Sequence, residues 1–227
     1  MKVLSQIRDS LRRKLIVADS LEKADLIFVL AGHTSRKVYA VRLFRDAWAP
    51  QLLVSTSDPP YIARLLEREL ALRNPESEPW ASIHKTATLA ARPEDFVFAS
   101  LDAKAWAIEK LPYMRLGTLR EIVSLGAWLR RRPLIRSVLI VSLGMHLKRV
   151  RLCCQRLLPP DRKLRFIAVP EHLADLRSRT ETARRAGLNS VLLECVKVAL
   201  YSVLLAFWPS ERMPGTKNQP GKASHDF

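Results

Sequence analysis

The chain has 227 residues, of which 48% are hydrophobic, enough for a substantial globular core in one domain with appendages. Its 38 Lys and Arg against 22 Asp and Glu give a formal charge of +16, which favours an anionic partner: nucleic acid, an acidic membrane surface or a phosphorylated small molecule. Three cysteines, Cys153, Cys154 and Cys195, form neither a disulfide framework nor a CxxC zinc site, and read as small core residues in a reducing compartment.

In chain order, residues 1–20 read as an amphipathic N-terminal helix with no signal peptide evident. "ADLIFVLAG" (24–32) is a continuous apolar run ending in glycine, as expected of a strand buried on both faces. "TSRKVYAVRLFRDAWAP" carries a helical stripe through Tyr39, Ala40, Leu43, Phe44 and Ala47. "QLLVSTSD" (51–58) is a second strand, and "PPYIARLLERELAL" a helix opened by proline. Residues 73–95 hold a proline-rich loop or insertion. "AWAIEKL" then reads as a third strand, "TLREIVSLGAWLRR" as a helix, "SVLIVS" as a strand, "HLKRVRLCCQRLL" as a helix and "LRFIAVP" as a fifth strand. This alternation predicts an α/β fold: a three-layer, Rossmann-like, mostly parallel sheet over residues 21–208. Residues 188–208 have the length of a membrane span but carry Glu194 and Lys197, so a helix packed on the sheet or lying on a membrane surface is preferred. Residues 209–227, polar and rich in Pro and Gly, are expected to be a disordered tail.

Ligands of doubly wound sheets collect at the strand carboxyl ends, where helix N-termini offer free N–H groups to anions. The first strand exits into "AGHTSR": Gly32 permits a tight turn, Thr34 or Ser35 is placed to cap the helix, and Arg36 lies on the apolar stripe, needing an internal partner or a polar cavity. The second exit offers the hydroxyls of Ser55, Thr56 and Ser57, with Asp58 as a helix cap. At the third exit Thr118 and Glu121 have capping-box spacing, while Glu121 also borders the stripe of Ile122, Leu125 and Trp128 and so can face inward toward Arg36 or Arg149. The fourth delivers Ser142, His146 and Arg149 to the start of a helix; these either form a core-edge histidine with an exposed arginine or surround an anion.

Gly32, Thr34, Arg36, Ser55, Thr118, Ser142 and Arg149 are therefore the candidate ligand-binding residues, with His146 as acid or base and Glu121 orienting a basic partner. No glycine-rich dinucleotide or phosphate loop, GxSxG elbow or metal-spaced histidine pair is present, and no cofactor is named by the sequence. Eleven basic residues and the single acid Asp161 lie between Arg130 and Arg165, but only Phe166 offers a nearby ring, which disfavours sequence-specific nucleic-acid binding.

The motifs "VLAGH" with Arg36, "VSTSD", "GTLRE" and "VSLGMHLKR", in this order between residues 24 and 170, resemble those of the YdcF-like family of bacterial proteins (ElyC, SanA and YdcF types). The family's turns are richer in glycine, Gly117 stands where it usually has Asn, and Glu121 follows Thr118 by three positions rather than two. His146 and Arg149 match in place. The resemblance implies a three-layer α/β/α fold with a cleft across the strand ends, and a role in bacterial envelope or surface-polysaccharide biology. The expected partner is an anionic small molecule or lipid-linked phosphorylated ligand, with the protein in the bacterial cytoplasm or peripheral on the inner face of the cytoplasmic membrane. The alternative is a non-catalytic, membrane-peripheral accessory protein held by basic residues 130–165 and the apolar helix.

Overall fold

A computed structural model describes residues 2–70, 97–102, 106–111, 116–174 and 182–208. The loop or insertion expected at 73–95 lies outside the described residues, as does the tail expected at 209–227. Helix α1 (Lys2–Leu15) precedes β1 (Leu26–Val29), α2 (Thr34–Arg45), β2 (Leu52–Thr56) and α3 (Pro59–Leu70). A pair of strands follows, β3 (Val97–Leu101) and β4 (Trp106–Lys110). The chain continues through α4 (Gly117–Arg130), β5 (Ser137–Ser142), α5 (Gly144–Leu157), β6 (Lys163–Ala168), the short α6 (Glu171–Ala174) and the long α7 (Thr182–Ala206).

The six strands form one sheet in the order β4-β3-β2-β1-β5-β6. β2, β1, β5 and β6 run parallel, as expected, whereas β3 and β4 pair antiparallel. This corrects the sequence reading in two places. "AWAIEKL" is the fourth strand rather than the third, and the strand at "VFASL" before it goes unrecognised in the sequence. The two make a hairpin extending one edge, so no crossover helix is needed between them.

β1 is apolar throughout because both its faces are covered. Leu26 and Phe28 face a core with Ile122 and Leu125 of α4 and Leu147 and Val150 of α5, and Phe28 meets Phe98 edge-on at 5.6 Å. Ile27 and Val29 face the opposite layer, against Val41 of α2 and Ile62 and Leu66 of α3. α7 lies outside α5, burying Tyr201 and Leu205, and α1 packs against both helices. Beyond α1, Asp19 follows the outer edge of β6, donating from its backbone to Phe166 O at 2.8 Å and accepting Phe166 N–H on Oδ2 at 2.9 Å. That contact covers part of an edge otherwise open to pairing.

The register of β1 against β5 is held by Asp25. Its Oδ2 accepts from Arg136 N at 2.8 Å, Ser137 N at 2.8 Å and Ser137 Oγ at 2.9 Å. Burial works against ionisation, but these hydrogen bonds outweigh it and hold the carboxyl below its ordinary value of 3.8. Asp25→Ala should therefore cost about 2–3 kcal/mol in urea unfolding at neutral pH, as hydrogen bonds to a charged group are lost. Because the folded-state value is the lower one, the contribution is present above 3.8 and disappears as pH falls through the folded value. The gap between wild type and variant should close in acid, and a gap unchanged in acid would assign the loss to something other than the carboxylate.

Candidate functional site

The direction of strand connection reverses at β1, which has β2 on one side and β5 on the other. Loops leaving the carboxyl ends of β1 and β5 diverge there, and such a switch point is where doubly wound sheets bind ligands. Leaving β1, Gly32 has φ +105°, a conformation open to glycine at little cost. His33, rather than Thr34 or Ser35, caps α2: its Nδ1 accepts Ser35 N–H at 3.3 Å, and exposed Thr34 is the first helical residue.

Two side chains from different helices hold the turn before Gly32. Arg36 Nη1 donates to Ala31 O at 2.8 Å, and Ala31 N–H donates to Glu121 Oε1 at 2.6 Å. Glu121 is thus the inward-facing residue, and the capping-box expectation for Thr118 and Glu121 is corrected. α4 begins one residue earlier, at Gly117, its N-cap is Leu116, and no side chain bonds the cap. Thr118 is buried beside Tyr201 of α7 instead. Burial pushes the Glu121 carboxyl up, opposed by the Ser55 hydroxyl, the Ala31 N–H, Arg36 and Arg120. Burial likewise lowers Arg36 to about 10, with Glu121 opposing the shift and Arg149 reinforcing it.

The β5 exit brings the second cluster. α5 starts after Leu143 with no side-chain cap, and its first turn places buried His146. Arg149 Nη2 lies 2.6 Å from His146 Nδ1. A guanidinium only donates, so Nδ1 accepts and the neutral ring carries its proton on Nε2. Glu194 of α7 faces this pair: its Oε1 is 3.4 Å from Arg149 Nε, with which it forms an ion pair, and equally far from His146 Nδ1, which as an acceptor does not bond it. Arg149 also stands 5.3 Å over the Tyr201 ring, and only 11% of its side chain is exposed, so it is not the solvated arginine of the plainer sequence reading.

Burial pushes His146 down to about 4; Glu194 opposes this, while Arg36 and Arg149 add to it. The near-neutral titration expected of an unperturbed imidazole therefore does not hold here, and at neutral pH the ring is uncharged. Glu194 is held below the ordinary carboxylate value: burial opposes this, and His146, Arg149 and Lys197 outweigh it.

Arg36, Glu121, His146 and Arg149 thus share one electrostatic environment, joined by Glu194. Ser55 and Ser142 are fully buried in the strand ends below it, so neither presents a hydroxyl at the surface. The Nε of Arg36, the Nε of Arg149, and the Oγ of Ser55 and Ser142 have no hydrogen-bond partner of normal geometry. Unsatisfied buried polar atoms are costly, and their grouping at one strand edge marks polar capacity beyond what the fold consumes.

Sequence reasoning missed Glu194, Tyr201 and Lys37. Lys37 is buried, donates from Nζ to Thr56 Oγ1 at 3.2 Å and lies 5.5 Å over the Tyr61 ring. Its neighbour Asp58 caps α3 through Tyr61 N at 2.9 Å, as expected. Among the described residues no cluster of three His, Cys, Asp or Glu side chains is placed to hold a metal ion. Cys153 and Cys154 are buried free thiols, with Cys153 pushed up to about 12 by burial, in keeping with core positions.

Comparison of the chain with family models, curated proteins and solved structures finds no match.

Proposed function

We propose that this chain is a YdcF-like protein that binds an anionic, phosphorylated or nucleotide-like ligand at the carboxyl edge of β1 and β5. The observation carrying this reading is the convergence of Arg36 and Arg149, largely buried and from two different helices, each with an Nε that makes no hydrogen bond at the switch point. Arginine forks match phosphate oxygens in pairs, and the α4 and α5 N-termini, both without side-chain caps, add N–H donors and a positive dipole end. Gly32 lets a ligand approach backbone, and exposed Thr34 adds a hydroxyl at the same turn. Glu194 pairs with Arg149, and Glu121 offsets the charge of Arg36 from the other side of Ala31, so in this reading neither carboxylate contacts the anion.

In this reading His146 is a neutral donor through Nε2 in the resting site, and a base only if ligand binding displaces Arg149 from Nδ1. Transfer or hydrolysis on a phosphorylated envelope precursor is compatible with this set of groups, and the family resemblance is what points to envelope or surface-polysaccharide biology.

The test is a thermal-shift series with inorganic phosphate, pyrophosphate, nucleotides, nucleotide sugars and a short-chain polyprenyl phosphate. At a hundred times Kd, mass action stabilises the fold by about 2.7 kcal/mol, which is roughly 5–10 °C for a domain of this size. We expect one ligand class to give that shift in wild type and to lose it in Arg149→Met, with the apo variant still melting cooperatively. An equal shift in the variant, or no shift with any of these anions, would discard the reading.

A further inference from the structure

We infer that α7 docks the protein flat on an anionic lipid bilayer, through the helix face pointing away from α5. This goes beyond the anion-site reading and does not depend on it. α7 is apolar on both sides. Its inner side is used: Val191, Tyr201 and Leu205 are buried, and Glu194 is ion-paired to Arg149. Its outer side carries Leu192, Leu193, Val196, Leu200, Val203 and Phe207, with Val196 63% and Phe207 84% exposed.

At 100° per residue these positions fall on one stripe without a charged residue, running about 22 Å along the helix. Soluble monomers rarely expose contiguous apolar patches of more than a few hundred Å², and six large side chains in register reach that scale.

Charge decides the occupant. Lys197 borders the stripe on the helix itself, its side chain 41% exposed. Exposed Arg156 of α5 lies across a shallow groove it shares with Ser202 and Ala206 of α7. α1, which packs against α7, adds exposed Arg13 and Lys14. An apolar stripe bordered by cations fits the interface of an anionic membrane, where apolar side chains enter the acyl boundary and Lys and Arg meet headgroups. The same cations, on a chain of net charge +16, oppose apposition of two copies through this face.

Asn189–Ala206 is long and apolar enough to cross a bilayer. The Glu194–Arg149 ion pair and the burial of Tyr201 and Leu205 keep it on the domain, so it lies in the plane of the interface.

Co-sedimentation of the full chain with vesicles tests this, using phosphatidylcholine alone or with 30% phosphatidylglycerol, at low and high salt. Wild type should bind the anionic vesicles, bind the neutral ones more weakly, and lose affinity in high salt. Val196→Asp/Leu200→Asp, altered only at exposed positions, should keep its melting temperature and lose about tenfold or more in vesicle affinity. Arg36→Met, which leaves the α7 contacts of Arg149 in place, should bind vesicles like wild type, which separates this result from the fate of the anion site. Failure of wild type to bind anionic vesicles, or undiminished binding by the double aspartate variant, would overturn the proposal. So would a wild-type dimer in sedimentation equilibrium that this variant abolishes, or extraction from vesicles only by detergent, since these assign the stripe to a second copy or to a membrane span.

Discussion

Replacing Glu121 by alanine should lower stability by about 3 kcal/mol, the cost of removing a buried, hydrogen-bonded carboxyl group that also offsets the charge of Arg36. Two groups lose their partner at once. Ala31 N–H, bonded to Oε1 at 2.6 Å, is left without an acceptor, and Arg36 keeps a desolvated charge without the carboxylate facing it. For a domain of this size the loss corresponds to roughly 10 °C in Tm. Glu121→Gln keeps an oxygen for Ala31 but not the charge, so its loss should be smaller. The double variant Glu121→Leu/Arg36→Met should recover the part of the loss that comes from the uncompensated Arg36 charge, while the Ala31 N–H still lacks an acceptor. Urea unfolding of the four proteins decides the matter. If the double variant is as unstable as the sum of its two singles, the two side chains are not energetically coupled.

The second large effect is pH-dependent. His146 titrates at about 4 in the folded protein, against 6.5 for the free side chain. The unfolded chain therefore takes up a proton in a range where the folded chain does not, so stability must decrease as pH is lowered across that window. The contribution is complete above about pH 6.5 and declines until pH reaches about 4, amounting to roughly 3 kcal/mol for one proton over that span. The charged groups around the ring are Arg149, Arg36 and Glu194, and Glu194, held below its ordinary value, stays ionised over most of the window. His146→Gln keeps an acceptor for Arg149 and does not titrate. Subtracting its stability profile from that of wild type should isolate this slope, because the remaining histidines and carboxylates are common to both. Parallel profiles between pH 7 and 4 would mean that the imidazole protonates freely in the fold.

Much of the architecture is legible in the chain because β1, β2 and β5 are covered on both faces. Continuous runs such as "LIFV" and "SVLIVS" have no other simple explanation in a chain with intervening helical stripes. Strand direction is not legible from periodicity, and the β3–β4 hairpin turns on a short connection whose neighbouring segments give mixed signals. At the site, Arg36, His146 and Arg149 can be placed from the sequence because each follows a strand exit by a fixed few residues. Glu121 is ambiguous there, since a capping box and an inward carboxylate share the same spacing. The helix start at Gly117 decides between them.

Glu194 depends on how α7 runs along α5, a long-range fact. Its signal is indirect: a carboxylate inside an apolar helix needs a cation, and the first turns of α5 hold one.

β1 is made first among the strands yet finishes in the middle of the sheet. One neighbour, β2, follows at Leu52, while the other begins at Ser137, 112 positions after Asp25. Joining them closes a long loop, whose entropy cost is met before the β1–β5 contacts form, so this step should be slow relative to local helix formation. During synthesis the edge of Leu26–Val29 that will meet β5 stays unpaired, an apolar template for a second nascent chain. A slip of one residue on docking would turn Leu26 and Phe28 toward the wrong layer. Asp25, already placed beside that edge, offers a carboxylate that only Arg136 and Ser137 satisfy in register. The same residue that stabilises the finished sheet thus also selects the alignment in which it closes.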